Sequence, residues 1–177
     1  MGNHKSIPHY LAAAGLFVIL KFGYTLADNN DLLFLLKPTD FSVSLLTGSQ
    51  SVYSTDNGYY HKTLNILIDK SCSGFNFWLL SFLLYTFLLL KYCNKTALKL
   101  LAIPASFICA YLLTIFANSS RIFTSIIVQS QTESFFPDRQ HLIHEAVGII
   151  TNLFFLVLAY YLTEKVFNKK QVYEKFS

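Results

Sequence analysis

Three residues with complementary chemistry stand far apart in the sequence: Cys72, Arg121 and His144. A cysteine thiolate is a nucleophile, and a guanidinium keeps its positive charge and can stabilise an oxyanion. A histidine beside a thiol can act first as a base and then as an acid. Together these groups are suited to acyl transfer, provided that the fold brings them to one place.

Cys72 lies in the sequence Ser71-Cys72-Ser73-Gly74, which we expect at the start of a helix. Unpaired amides and the helix dipole at such a start favour a thiolate, and Gly74 permits a substrate main chain to approach closely. The alternative is a buried structural cysteine. That alternative suits Cys93 and Cys109 better, because they are predicted at the opposite membrane face and in the middle of a helix.

Arg121 closes the polar run Asn118-Ser119-Ser120-Arg121 at the predicted outer end of an apolar stretch. Alone, such an arginine is more often an interfacial residue whose charge reaches the lipid headgroups. The polar run within an otherwise apolar stretch favours a functional interpretation.

His144 is followed by Glu145 and, one turn later, by Gly148, while His141 precedes it by one turn. A spacing of three places His141 and His144 on one helical face, so a metal site is an alternative, with Cys72 as a possible third ligand. The sequence lacks the second histidine of the zinc-protease motif His-Glu-x-x-His. We therefore predict no metal site.

The composition excludes an ordinary soluble domain, because 53% of the 177 residues are hydrophobic and only 14% are charged. We predict a single membrane domain, 1–177, of the all-α polytopic class. Four stretches approach the roughly 20 residues that cross a bilayer. They are Ile7–Ala27, Phe75–Leu90, Leu98–Ala117 and Leu142–Leu162.

Two further elements are predicted between the first and second spans. Pro38 makes a continuous spanning helix improbable, and Thr39-Asp40 is typical of the cap of a short helix. We place this helix, within 31–48, in the interface, with a re-entrant segment as the alternative. The turn sequence Asp56-Asn57-Gly58 within Ser51–Lys70 predicts a β-hairpin outside the membrane.

Lysines indicate the orientation of the spans. They are concentrated in the connection between the second and third spans and after the fourth, and positive charge marks the cytoplasmic side. Cys72, Arg121 and His144 then all lie at the outer side of the bilayer. The lysines form no basic patch interleaved with aromatic residues, so nucleic acid is not expected as a partner.

The three motifs, in this order on successive spans, resemble the exosortase/archaeosortase family, and a compact, exosortase K-like subtype in particular. The resemblance extends from about Leu32 to Gly148. It implies a cofactor-independent cysteine protease or transpeptidase in a bacterial cytoplasmic membrane, with its site on the extracytoplasmic face. It also implies membrane-tethered protein substrates whose C-terminal sorting signal consists of a short motif, a transmembrane helix and a basic tail.

Carried over to this chain, the resemblance implies Cys72 as nucleophile, Arg121 as oxyanion or substrate stabiliser and His144 as general acid and base. It implies that Asn118 orients Arg121. The remaining supporting or substrate-binding positions are Ser73, Gly74, Glu145 and Gly148. Two other functions stay open: a metal-dependent membrane hydrolase using His141 and His144, and a non-catalytic membrane assembly protein. The choice between water and an amine as acceptor also stays open.

Overall fold

The structure is a computed structural model that describes residues 6–93, 96–132 and 139–176, without the side chains of Thr96, Gln140, His141 and 170–176. It contains five α-helices and one small sheet within these ranges. The helices are α1 (Ile7–Leu26), α2 (Leu33–Thr47), α3 (Phe75–Tyr92), α4 (Thr96–Thr132) and α5 (Gln140–Phe176). The strands are β1 (Ser51–Ser54), β2 (Gly58–His61) and β3 (Ile66–Ile68).

Four helices, α1, α3, α4 and α5, are long and apolar enough to cross a membrane. The prediction of an all-α polytopic membrane protein with four spans is thereby confirmed. Helix α3 is the centre of the bundle and packs against α1, α4 and α5. In the most apolar 18-residue stretch of the α3 span, 56% of the residues are buried, whereas the figure for α1 is 6%. Helix α1 therefore turns most of its apolar surface outward.

The third and fourth spans extend beyond their predicted ends. Helix α4 continues to Thr132, so the prediction that Arg121 ends its helix was wrong. The polar run lies within this helix, and the Ser120 hydroxyl donates back to the carbonyl of Phe116, at 2.8 Å. Eleven residues of α4 follow Arg121 and form an outward extension of the bundle.

Helix α2 runs without a break through Pro38, so the prediction that a helix begins at Thr39-Asp40 was wrong. A proline at this position cannot donate a hydrogen bond to the carbonyl four residues earlier, that of Phe34. In this fold the hydroxyl of Tyr111 on α4 donates to that carbonyl, at 2.8 Å. A distant residue therefore replaces the bond that Pro38 removes.

The start of α2 lies inside the bundle. The ring of Phe34 contacts those of Trp78 and Tyr111, with centroid distances of 5.3 and 6.4 Å. Trp78 follows Cys72 by six residues, and Tyr111 precedes Asn118 by seven, so both lie about 10 Å deeper than those residues. Helix α2 thus starts beside α3 and α4 and leads to the sheet, and the choice between an interfacial and a re-entrant helix stays a prediction.

The predicted hairpin is present and is extended by a third strand. The antiparallel sheet has the order β1-β2-β3, with Val52 opposite Tyr60 and Tyr60 opposite Leu67. Gly58 closes the first turn at φ +81°, where a Cβ would lie 2.5 Å from the carbonyl oxygen of Ile68. A second turn, with Asn65 at φ +50°, divides the predicted second strand into β2 and β3.

His61 joins the sheet to α2, a role that the sequence did not indicate. It is fully buried, its Nε2 lies 2.9 Å from Oδ1 of Asp40, and its Nδ1 lies 2.7 Å from the hydroxyl of Ser49. The chain of serine, histidine and aspartate is similar in composition to a hydrolytic triad. However, Ser49 is buried and also bonded to Thr47, at 2.7 Å, so this group serves the packing of the sheet.

Replacing Asp40 by alanine should destabilise the outer part of the protein. The change leaves Nε2 of the buried His61 without its partner, at a cost of about 2 kcal/mol. We expect a lower melting temperature in detergent micelles and faster proteolysis within the sheet. The matched control is Phe41→Ala, the next residue, whose side chain is 67% exposed. Equal stability of the two variants would contradict the assigned role of the Asp40–His61 pair.

Candidate active site

Cys72 stands on a 3₁₀ turn, Lys70–Cys72, two residues before Gly74, the N-cap of α3. The carboxylate of Asp69 holds this turn by accepting hydrogen bonds from the amide of Ser71 at 2.9 Å, its hydroxyl at 2.6 Å, and the amide of Cys72 at 3.3 Å. The Cys72 side chain is half-buried. The predicted position at a helix start is thus correct, with a capped turn ahead of the helix.

The turn is also tied to the end of α1 through Lys70. The amide of Lys70 donates to Asn29 at 2.8 Å, and its carbonyl accepts from the hydroxyl of Tyr24 at 3.1 Å. The Asn29 amide nitrogen in turn donates to the carbonyls of Thr55 and Asp56 in the hairpin turn, at 3.1 Å each. Sequence reasoning missed these positioning residues because their partners lie 26 or more residues away.

Asn118 connects α4 to the cysteine turn. Its side-chain nitrogen donates to the carbonyl oxygen of Cys72 at 2.6 Å, and the residue is only 2% exposed. Gly74 lies directly against it, at φ +73°, where a Cβ would be 3.0 Å from Cγ of Asn118 and 3.2 Å from Cγ2 of Thr114. Gly74 is therefore required both by its backbone conformation and by the close approach of α4.

Arg121 follows Asn118 by one helical turn and extends toward α5. A Cβ at Gly148 would lie 3.6 Å from its Cδ and 3.9 Å from its Nη1, so Gly148 leaves room for the arginine. Its Nε and Nη2 are buried and have no hydrogen-bond partner among the described residues. Buried donors of a charged group are costly to leave unpaired, so they are suited to an oxygen-bearing partner from outside the chain.

The structure brings together the elements that carry the three predicted residues. Cys72 meets α4 at Asn118, Arg121 lies on the same face one turn further, and Arg121 contacts α5 at Gly148. His144, one turn before Gly148, is half-buried. The site therefore occupies one end of the bundle, below the sheet.

The other predicted supporting residues divide into two kinds. The buried hydroxyl of Ser73 accepts from the amide of Phe75 at 3.3 Å, which is a capping role at the start of α3. Glu145 is exposed on α5. The side chain of His141 lies outside the described residues, so the alternative of a metal site at His141 and His144 stays untested. Elsewhere in the described chain, no group of three His, Cys, Asp or Glu residues could hold a metal ion.

Replacing Gly74 by alanine should displace α4 from the cysteine turn. A left-handed backbone costs a residue with a Cβ about 1–2 kcal/mol, and the new methyl would press on Asn118. We expect a lower melting temperature and a changed rate of alkylation of Cys72 by a water-soluble maleimide. The Cys72→Ala chain gives the background labelling of the other two cysteines.

Gly15→Ala is the matched control, because a Cβ at Gly15 meets nothing within 4 Å and the residue lies within helix α1. It should leave both measurements unchanged. Identical behaviour of the two variants would contradict the close approach at Gly74.

Comparison with known families gives an independent view of the chain. A profile of the transmembrane exosortase family (Exosortase_EpsH) matches residues 8–161, from the first span into the fourth. Searches among curated proteins and among solved structures find no match. The K-like subtype stays a prediction. Because the match covers most of its length and includes all three motifs, the chain belongs to the transmembrane exosortase family.

Proposed function

We propose that the protein is a membrane-embedded cysteine transpeptidase or protease that removes C-terminal sorting signals from exported, membrane-tethered proteins. Exosortases are in general transpeptidases or proteases that act on membrane-associated substrates with sorting signals. The observation that carries the proposal is the pair of buried Arg121 nitrogens, Nε and Nη2, that have no hydrogen-bond partner among the described residues. They lie one turn from the asparagine that holds the Cys72 backbone.

The first step is attack of the Cys72 thiolate on the carbonyl carbon of a substrate peptide bond. The negative charge that develops on the carbonyl oxygen is stabilised by Arg121, whose buried Nε–H and Nη2–H groups are matched to such an oxygen. The carbon–nitrogen bond then breaks, and the leaving nitrogen takes a proton from His144. The products are a thioester on Cys72 and a free C-terminal helix with its basic tail.

The second step releases the exported part of the substrate. His144 accepts a proton from the incoming nucleophile, which attacks the thioester, and the carbon–sulfur bond breaks to restore the Cys72 thiolate. An amine acceptor gives transpeptidation and water gives proteolysis. Both outcomes use the same three residues, and the acceptor is the point on which they differ.

The distribution of lysines in the bundle supports a site on the extracytoplasmic face. At the end of α3 opposite Cys72, Lys91 forms an ion pair with Glu164 on α5, at 2.6 Å. Lys99, near the start of α4, donates to Ser6 before α1. Lysines therefore collect at the end of the bundle away from the sheet, which is the cytoplasmic end by the positive-inside rule.

The proposal predicts that three substitutions each abolish or strongly reduce processing. The reporter is an exported protein of the same genome that ends in a short motif, one hydrophobic helix and a basic tail, with an affinity tag on its exported part. Cys72→Ala should give no cleavage, His144→Ala a loss of about 10²–10⁴-fold, and Arg121→Ala a loss of about 10²–10³-fold. Cleavage is followed by gel shift at matched expression of each variant.

Two controls make the result specific to Cys72. Cys109→Ser alters an exposed cysteine within α4 and should process the reporter at the normal rate. A chelator should have no effect, whereas a chelator-sensitive activity that survives Cys72→Ala would favour the metal-dependent hydrolase. Full processing by Cys72→Ala would overturn the mechanism, and the absence of any processing by the wild-type chain would favour an assembly protein.

A further inference from the structure

A groove of about 410 Å³ lies between the sheet and the outward extension of α4. Its size falls within the roughly 300–1,000 Å³ of ordinary ligand pockets. The sheet contributes the turn before β3 and the first residue of that strand, and α4 contributes its last turns. The residues that matter here are Thr63, Asn65 and Ile66 on one wall and Ile126, Gln129 and Ser130 on the other.

We propose that this groove binds the extended segment of the substrate that precedes the scissile bond. The inference rests on the proposed function, because it assigns a binding subsite to the same reaction. The exported part of such a substrate leads away from the membrane, in the direction in which α4 extends beyond Arg121.

The groove and the site are connected by one face of helix α4. Arg121, Ser125 and Gln129 follow one another at intervals of four residues and so lie on neighbouring turns of a single face. From Arg121 to Gln129 the helix rises about 12 Å. An extended chain covers this distance in about four residues. The groove is therefore at the right distance to hold a segment roughly two to six residues before the cleaved bond.

The hydroxyl of Ser125 supports a bound main chain between the site and the groove. Ser125 is 4% exposed, and its Oγ has no hydrogen-bond partner among the described residues. A serine within a helix can bond to the carbonyl four residues earlier, as Ser120 does, but Ser125 does not. Its buried hydroxyl is thus an unpaired polar group one turn beyond Arg121.

The sheet side of the groove favours an extended occupant. Strand β3 is the last strand of the sheet, so one row of its backbone groups pairs with no other strand in the described chain. Such an edge is a template for an added strand. From the end of β3 the chain reaches Cys72 in four residues, so a peptide that follows this edge is led toward the sulfur.

The lining indicates the chemistry of the segment. The residues that line the groove are uncharged, with hydroxyl and amide groups beside the side chains of Ile66 and Ile126. Among the described lining residues, a charged segment finds no opposite charge. We therefore expect an uncharged segment with small or polar side chains, held mainly through its main chain.

Crosslinking tests the position of the segment directly. A photoreactive benzoylphenylalanine replaces Gln129 in a Cys72→Ala chain, which retains the tagged reporter uncleaved. Irradiation should join residue 129 to the reporter about two to six residues before the cleavage site, as mapped by mass spectrometry. The same group in place of Thr124, an exposed residue on another face of α4, should give at least about tenfold less adduct.

Filling the groove tests its contribution to turnover. Ser130→Trp places a large ring in the groove and should reduce reporter processing at least about tenfold, with alkylation of Cys72 unchanged. Thr124→Trp adds the same ring outside the groove and should process at the wild-type rate. A normal rate in Ser130→Trp would overturn the subsite.

The two experiments separate the subsite from the proposed function. If the wild-type chain processes the reporter but residue 129 gives no specific adduct, the proposed subsite is overturned and the cysteine mechanism is retained. A specific adduct without Cys72-dependent processing would support the groove and overturn the mechanism. If neither is observed, both proposals fail.

Discussion

The hydrogen bond from Asn118 to the carbonyl of Cys72 is the contact on which the arrangement of the site depends. It joins the turn before α3 to the middle of α4, and the absence of a side chain at Gly74 lets the two approach. Since Arg121 lies one turn beyond Asn118, this single contact sets the height of the guanidinium relative to the cysteine. Gly148 then lets α5 approach Arg121, with His144 one turn earlier on that helix.

Polar groups inside a membrane bundle must find partners within the protein, and several in this bundle do so. The carbonyl that Pro38 leaves without a donor is bonded by Tyr111, and Trp78 donates to the carbonyl of Phe107. Among the described residues, Nε and Nη2 of Arg121 have no such partner, and neither have the buried hydroxyls of Ser81, Thr86, Ser119 and Ser125. The role proposed for Arg121, in which a substrate oxygen is the partner, would account for its two unpaired nitrogens.

The outer layer supports the site from above. His61 joins β2 to α2 through Asp40, and Asn29 joins the hairpin turn to Lys70, the first residue of the cysteine turn. The sheet is too small to be stable alone, so these buried polar contacts and the packing of Ile68 hold it against the bundle. A sheet fixed in this way provides one rigid wall beside the outer end of α4, and the helix provides the other.

The sequence by itself determined the features that depend on local pattern. Hydrophobic runs specify the four spans, Asp56-Asn57-Gly58 specifies a tight turn, and the distribution of lysines specifies which motifs share a side. The motifs of Cys72, Arg121 and His144 were sufficient to indicate the family that the profile match shows. Each of these signals is contained in a short stretch of chain and needs no partner from elsewhere.

Only the tertiary structure decided the features that depend on distant partners. Proline normally ends a helix, and α2 passes through Pro38 because Tyr111, 73 residues later, supplies the missing donor. His61 carries no motif, yet its burial against Asp40 gives it a structural role. The contact between Asn118 and Cys72 is likewise invisible in either motif alone. Local propensity cannot report such contacts, because their free energy arises only when remote segments exclude water together.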